Sequence, residues 1–300
     1  MKISVVISAY NEEKMINDCL FSVKNLADEI VLVDNSSQDQ TIAIAKNYTK
    51  NIFVTPNDPI NLNKNKNFGF TKATGDWILS LDADERITPI LIKEIKNVIT
   101  KKGVDGYEIP RKNIIFGKWI EHSIWWPDYN LRLFKNGKGK FPENYVHEKI
   151  QVNGNIAKLS NPMTHYNYQT ISQFIKKLDS SYTESETENY IKSGKNIHWF
   201  DALRWPVGDF LKTFFSQEGY KDGMHGLVLS IFQGFYAFVF FAKVWERKEN
   251  FKDLSPKNFP REIAKEFGYN AKQMRYWIYT ALIKEEPHRK MLHRIKRKYF

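Results

Sequence analysis

Three hundred residues carry 45 Lys/Arg against 34 Asp/Glu, a formal net charge of +11, with 42% hydrophobic and 26% charged residues. That balance excludes a disordered chain and allows one large or two smaller domains with a well-buried core. The one cysteine, Cys19, excludes an internal disulfide, suggests a reducing compartment, and sits where a core residue is expected.

Residues 1–7 turn polar too soon for a signal peptide, so a cytoplasmic enzyme face is expected. The β-branched run 3–8 predicts a buried strand, and 9–13 a turn. Residues 14–26 predict a helix, with Met15, Ile16, Cys19, Leu20 and Val23 at helical spacing. A second strand is expected at 29–34, a helix at 41–48 and a short third strand at 52–55. The Asn/Lys-rich stretch 61–74 ends in a helix, and 76–81 is the fourth strand. Strands alternating with helices imply a parallel sheet covered on both faces, with ligands at the carboxyl ends of the strands.

Further on, an amphipathic helix is predicted at 89–101 and strands at 104–110 and 130–135. A turn at 136–139 leads into 140–152, and these pieces complete the same domain as mixed sheet. Residues 171–192 read as helical. Residues 198–246 are rich in aromatics and contain an apolar run, 226–242, at the low limit for a membrane span. Flanking Trp, Tyr, Lys and Arg favour an interfacial or re-entrant helix, ahead of a core helix and then a full crossing. From residue 246 on, 15 Lys/Arg face 7 Asp/Glu, and 284–300 form a basic tail suited to an anionic membrane surface or nucleic acid. The expected layout is a catalytic domain 1–170, with a nucleotide-binding half 1–100 and an acceptor half 101–170, then a helical region 171–300.

The stretch Ser80-Leu81-Asp82-Ala83-Asp84-Glu85 carries the chemistry. An extended chain ending in Asp-x-Asp points both carboxylates to one side, about 6–7 Å apart. A divalent cation relieves their repulsion, and hard oxygen donors suit Mg²⁺ or Mn²⁺.

With its neighbours, this stretch resembles the family 2 glycosyltransferases of GT-A fold. The matching pieces are Val5-Val6-Ile7-Ser8-Ala9-Tyr10-Asn11-Glu12, the run from Ile30 through Asp34 to Thr41, Asn65-Lys66-Asn67-Phe68-Gly69-Phe70, Ala73-Thr74-Gly75-Asp76-Trp77-Ile78 and Leu81-Asp82-Ala83-Asp84-Glu85. Tyr129-Asn130-Leu131-Arg132-Leu133-Phe134, Tyr145-Val146-His147-Glu148-Lys149-Ile150, Pro162-Met163-Thr164-His165-Tyr166 and the run Gly219 to Gly226 look like the bacterial lipopolysaccharide-core β-glucosyltransferases.

The resemblance implies a Rossmann-like nucleotide-sugar domain with a mixed central sheet, plus a helical C-terminal region at a membrane interface. Ala9, Tyr10, Asn11 and Glu12 would border the nucleotide base, with Asp34 accepting from the uracil imide N–H; this favours UDP over ADP. Lys66 would meet the diphosphate, Asp82 the ribose or a metal-bound water, and Asp82-Ala83-Asp84 would line the donor. Asp84 would ligate the metal, with Asp82 and His165 as further ligands. Inversion at the anomeric carbon needs a base: Glu148 is expected, with Asp128 as the second candidate. Trp125 and Trp126 suit an acceptor-side sugar platform, and His147 could ligate the metal or orient Glu148.

The implied activity is metal-dependent, inverting transfer of a hexose, glucose being expected, from a UDP-sugar to a membrane-linked glycan such as lipopolysaccharide core. Polyprenyl-phosphate or protein glycosyl transfer are alternatives. A nucleotidyltransferase would want a Gly-rich basic loop after the first strand, where this chain has the acidic turn 9–13. No nucleic-acid partner is expected, because the basic surplus is confined to the terminus.

Overall fold

The computed structural model describes residues 1–58, 62–142, 149–179 and 183–299. These form two compact units: Met1–Trp119 with Trp126–Asn167, and Ile120–Trp125 with the chain from Tyr168 on. Segment 120–125 goes with the helical unit because the buried Asp222 carboxylate accepts the backbone N–H groups of Glu121 (3.1 Å) and His122 (3.0 Å).

In the first unit, β1 (Ile3–Ala9), α1 (Ile16–Val23), β2 (Glu29–Asp34), α2 (Thr41–Ala45), β3 (Asn51–Val54), α3 (Leu62–Lys72) and β4 (Trp77–Asp82) alternate as the sequence predicts. The helices are shorter than expected, since α1 starts at Ile16 and α2 stops at Ala45. Then come β5 (Glu85–Arg86), α4 (Pro89–Val98), β6 (Gly106–Ile115), β7 (Lys118–Trp119), β8 (Asp128–Lys135), β9 (Gly139–Lys140), β10 (Gln151–Val152), β11 (Ile156–Lys158) and β12 (Met163–Tyr166). The main sheet runs β3-β2-β1-β4-β8-β6-β12-β5, with β7 and β11 paired to β6. Strands β1 to β4 are parallel, while β8 enters antiparallel between β4 and β6. The carboxyl ends of β1, β2 and β4 therefore share one edge.

The core follows from β-branched strands buried on both faces. Val5, Ile7, Leu32, Leu79 and Leu81 pack with Ile16, Cys19, Leu20 and Val23 of α1 and with Leu91 and Ile95 of α4. Each such aliphatic side chain contributes about 1.5–3 kcal/mol on burial. Helix α4 starts where Thr88 Oγ1 accepts from Leu91 N (3.3 Å) and Pro89 fills the first helical position. Helix α3 lies against β1 and β2 at Gly69, where a Cβ would come within 2.6 Å of Val6 Cγ1. Burial pushes the Cys19 thiol up, so it packs as an apolar group.

The second unit holds α5 (Ile171–Lys177), α6 (Thr183–Lys192), α7 (Asp201–Leu211), α8 (Met224–Glu249), α9 (Phe259–Glu285) and α10 (Lys290–Tyr299). Within the stretch expected to be helical over 171–192, Ile171–Lys177 form α5 and Thr183–Lys192 form α6. Between α7 and α8 the chain doubles back so tightly that a Cβ on Gly226 would lie 1.7 Å from Gly219 O. Helix α8 contains the whole 226–242 run. Its Phe240 and Phe241 pack on Trp205, and Phe240 also meets Tyr190, so part of this aromatic segment is core. Ile231, Phe235 and Phe238 remain exposed. Among the described residues α8 is the one helix long and apolar enough to cross a membrane, with a third of its most apolar window buried. A core helix passes the same test.

Candidate active site

The carboxyl ends of β1 and β2 are laced together. Asn11 Oδ1 accepts from Gln38 N (2.8 Å), Asn11 N donates to Ser37 Oγ (2.9 Å), and Glu12 N donates to Thr41 Oγ1 (2.8 Å). Ala9 is buried, Glu12 half-buried, and Tyr10 exposed at the strand end. Asp34 is fully buried: its Oδ2 accepts from Ser37 N (2.8 Å), while Oδ1 is buried with no hydrogen-bond partner. An orphaned buried carboxylate oxygen is costly unless a ligand donor completes it. Beside it, Asn35 Oδ1 accepts from Asn65 Nδ2 (2.8 Å), which ties α3 to this edge.

Strand β4 stops at Asp82, so alternation does not carry the two acids to one side. Asp82 N donates to Glu85 Oε2 (3.0 Å), and the chain turns through Ala83 and Asp84 into β5. Asp82 is clamped between Lys66 Nζ (2.5 Å to Oδ1) and Arg132 Nη2 (2.6 Å to Oδ2). Partial burial works against its ionisation, but the Arg132 guanidinium and then the Lys66 ammonium outweigh it and hold the carboxyl well below the usual range. A third of the Asp82 side chain stays exposed, so its desolvation is incomplete and the two cations prevail. Arg132 also reaches Glu85 Oε1 (2.6 Å), the most buried acid of the cluster, and Arg111 Nη1 lies 3.7 Å from the same oxygen.

Strands β6, β8 and β12 supply the rest by their period of two. Asp128, Asn130 and Arg132 fall on one face of β8, and Arg111 and Asn113 on one face of β6. Arg111 stands opposite Asp128 in register, and His165 stands opposite Asn113. Arg111 holds Asp128 Oδ2 through Nε (2.8 Å) and Nη2 (2.6 Å), while Asn130 Nδ2 donates to Oδ1 (2.9 Å). Asn113 Nδ2 donates to Asp128 Oδ2 (3.3 Å), which turns its Oδ1 toward His165 Nδ1 (2.7 Å). An oxygen there takes the proton on Nδ1, so the neutral ring would present Nε2 as a lone pair. That Nε2 lies 3.5 Å from Asp84 Oδ2.

One network therefore runs Lys66–Asp82–Arg132–Glu85–Arg111–Asp128–Asn113–His165–Asp84, with three cations against four carboxylates. Among the described residues no three His, Cys, Asp or Glu side chains gather at metal-binding spacing. The Asp84–His165 pair offers two donors, which fits a Mg²⁺ or Mn²⁺ ion that completes its shell with phosphates and water. Asp82, expected as a further ligand, has its oxygens committed to Lys66 and Arg132. Asp128, the second candidate base, has both oxygens engaged by Arg111, Asn113 and Asn130, and it braces Asn113. His147 and Glu148 lie outside the described residues. The unit boundary falls between Trp125 and Trp126: Trp125 packs on Tyr168 in the second unit and Trp126 on Trp119 in the first. Sequence reasoning missed Glu85, Arg111 and Asn113, although polar residues spaced by two within apolar strands were the available signal.

A mixed sheet with an acid–histidine pair beside an acidic strand end agrees with the GT-A fold expected from the sequence. The glycosyl transferase family 2 model matches residues 4–152. An uncharacterised glycosyltransferase of Rickettsia typhi is 30% identical over 257 residues, covering 82% of this chain and 87% of the relative. The chain belongs to glycosyl transferase family 2 and is an enzyme of that class. LpsC of Rhizobium meliloti, a lipopolysaccharide core biosynthesis glycosyltransferase, is 25% identical, covering 82% of this chain and 93% of LpsC. Among solved structures, residues 1–349 of Staphylococcus aureus TarS with UDP-GlcNAc match at 19% identity, covering 82% of this chain and 84% of that one, with a TM-score of 0.46.

Proposed function

We propose that this enzyme transfers a hexose, glucose being the expected sugar, from a UDP-sugar to a hydroxyl of a membrane-linked glycan such as lipopolysaccharide core. The reading places it in the cytoplasm, in peripheral contact with the inner face of the cytoplasmic membrane. The observation that carries it is Asp84 Oδ2 lying 3.5 Å from Nε2 of His165 at the edge where β4 ends. Those two side chains would hold Mg²⁺ or Mn²⁺, which supplies charge neutralisation to the departing diphosphate.

The unpartnered Asp34 Oδ1 supports an imide N–H donor, and hence a uracil base. Lys66 and Arg132 keep Asp82 ionised at the donor side. In the transfer, the acceptor oxygen bonds to the anomeric carbon as the bond to the diphosphate oxygen breaks. The hydroxyl proton passes to a base, for which Glu148 is retained and Asp128 set aside because its oxygens are taken. The acceptor class rests on the likeness to LpsC over most of both chains.

Donor hydrolysis screened across UDP-sugars with Mn²⁺, wild type beside Asp84→Ala, tests the reading. Loss of one such ligand is expected to lower turnover roughly a hundred- to a thousandfold. Equal rates in the two proteins, or no metal-dependent hydrolysis of any nucleotide sugar, would sink it.

A further inference from the structure

Helix α10 is built with its polarity reversed. At about 100° per residue, His293 and Arg297 fall on one side and Met291 and Ile295 on the other. The inward side is the polar one. His293 is buried, stacks on Tyr279 of α9, and meets Glu286 Oε2 through Nε2 (2.9 Å). Arg297 donates to Thr280 Oγ1 (3.3 Å) and lies over the Tyr276 ring. The outward side is apolar: Met291 is 78% exposed, Leu292 47% and Ile295 45%. A helix whose only purpose is to close a soluble bundle would put these the other way round.

Charge names what covers that face. Lys290, Arg294 and Lys298 recur every four residues and are exposed, forming a basic stripe that borders the Met291–Ile295 stripe. The helix contains five Lys/Arg and no acid. A docked protein surface of like polarity would have to bring its own acids in register. An anionic bilayer meets both stripes at once, with headgroups against the cations and acyl chains against Met291 and Ile295. The exposed stripe of α8, Ile231, Phe235 and Phe238, carries no such flanking charge and does not choose between occupants.

We infer that α10 is the element that seats this enzyme on an anionic lipid surface, lying in the headgroup plane with Met291, Leu292 and Ile295 inserted. The inference deepens the membrane contact of the reading above and rests on it. It assigns that contact to ten residues at the end of α9 and leaves donor chemistry to the first unit.

The test is flotation of the full-length protein with vesicles of phosphatidylcholine alone or mixed with phosphatidylglycerol. Wild type is expected to float with the mixed vesicles only, and less so as salt rises. Arg294→Gln with Lys298→Gln is expected to lower partitioning roughly thirtyfold, the effect of two basic groups near such a surface. Met291→Ser with Ile295→Ser is expected to abolish flotation, and both variants should keep wild-type donor hydrolysis. Hydrolysis lost in the wild type itself with flotation intact would count against the donor reading alone. No flotation of wild type, salt-insensitive flotation, or variants that float like wild type would overturn the inference. So would a dimer in light scattering that the two serines dissociate, since a second copy would then cover the face.

Discussion

The two ends of this chain handle charge in opposite ways. In the α/β unit, Arg132, Glu85, Arg111 and Asp128 are turned onto one another on the sheet face, and Asp82 is held by two cations. On α10, charges face solvent beside apolar side chains, while a histidine and an arginine occupy the packed side. The first arrangement pre-orients groups for a small, highly charged ligand. The second leaves a surface complete only when something broad and apolar covers it. On the function proposed above, sugar taken from a soluble nucleotide and delivered at a membrane would call for one of each.

The sharpest way to break the comparison is to unpair the inward charges. Arg132→Leu leaves Glu85 buried without its closest cation, which should cost about 3–5 kcal/mol of folding stability. Chemical denaturation reads it; a loss below about 1 kcal/mol would mean the network is wetter and looser than its distances imply. The pairing around His165 is subtler. Asn113→Leu removes the acceptor that keeps the proton on Nδ1, and Mn²⁺ binding by calorimetry should weaken roughly ten- to a hundredfold. The ¹⁵N shifts of His165 should report a mixture of tautomers, and an unchanged affinity would show that Asn113 serves packing alone.

The smallest effect belongs to the second unit. Glu218 accepts from Lys221 (2.7 Å) and Lys284 (2.6 Å), and these hydrogen bonds hold its carboxyl down at about 2. A depressed carboxyl stabilises above its unfolded value, near 4.5, and that contribution fades as pH falls toward about 2. With all three side chains partly exposed, the effect is screened to under about 1 kcal/mol. Glu218→Gln should therefore lower stability slightly at pH 7, and the gap to wild type should close in acid. A gap that widens below pH 4 would refute the assignment.

Much of the first hundred residues was legible in the sequence. Strands β1 to β4 fall within about two residues of expectation, because β-branched runs bounded by polar turns admit few other readings. Lys66 of α3 pairs with Asp82 at the end of β4, and Asp34 stands at the end of β2 on the same edge of the sheet. Asp84 and His165, 81 positions apart, are brought together because β5 pairs with β12 at Glu85 and His165. Helix ends were read too long, since helical spacing of apolar residues continues past the point where the backbone stops bonding to itself.

By itself the sequence determined the strand–helix alternation, the family, and which acids stand at strand ends, because these depend on local periodicity and neighbouring residues. Only the tertiary structure decided how those acids are shared. Asp82 went to Lys66 and Arg132, Glu85 became the buried anchor, and Asp128 became a brace for Asn113, through strand pairings between distant segments. The same holds for α10. Its composition announced a basic tail, but which stripe faces out was settled by His293 and Arg297 finding partners on α9.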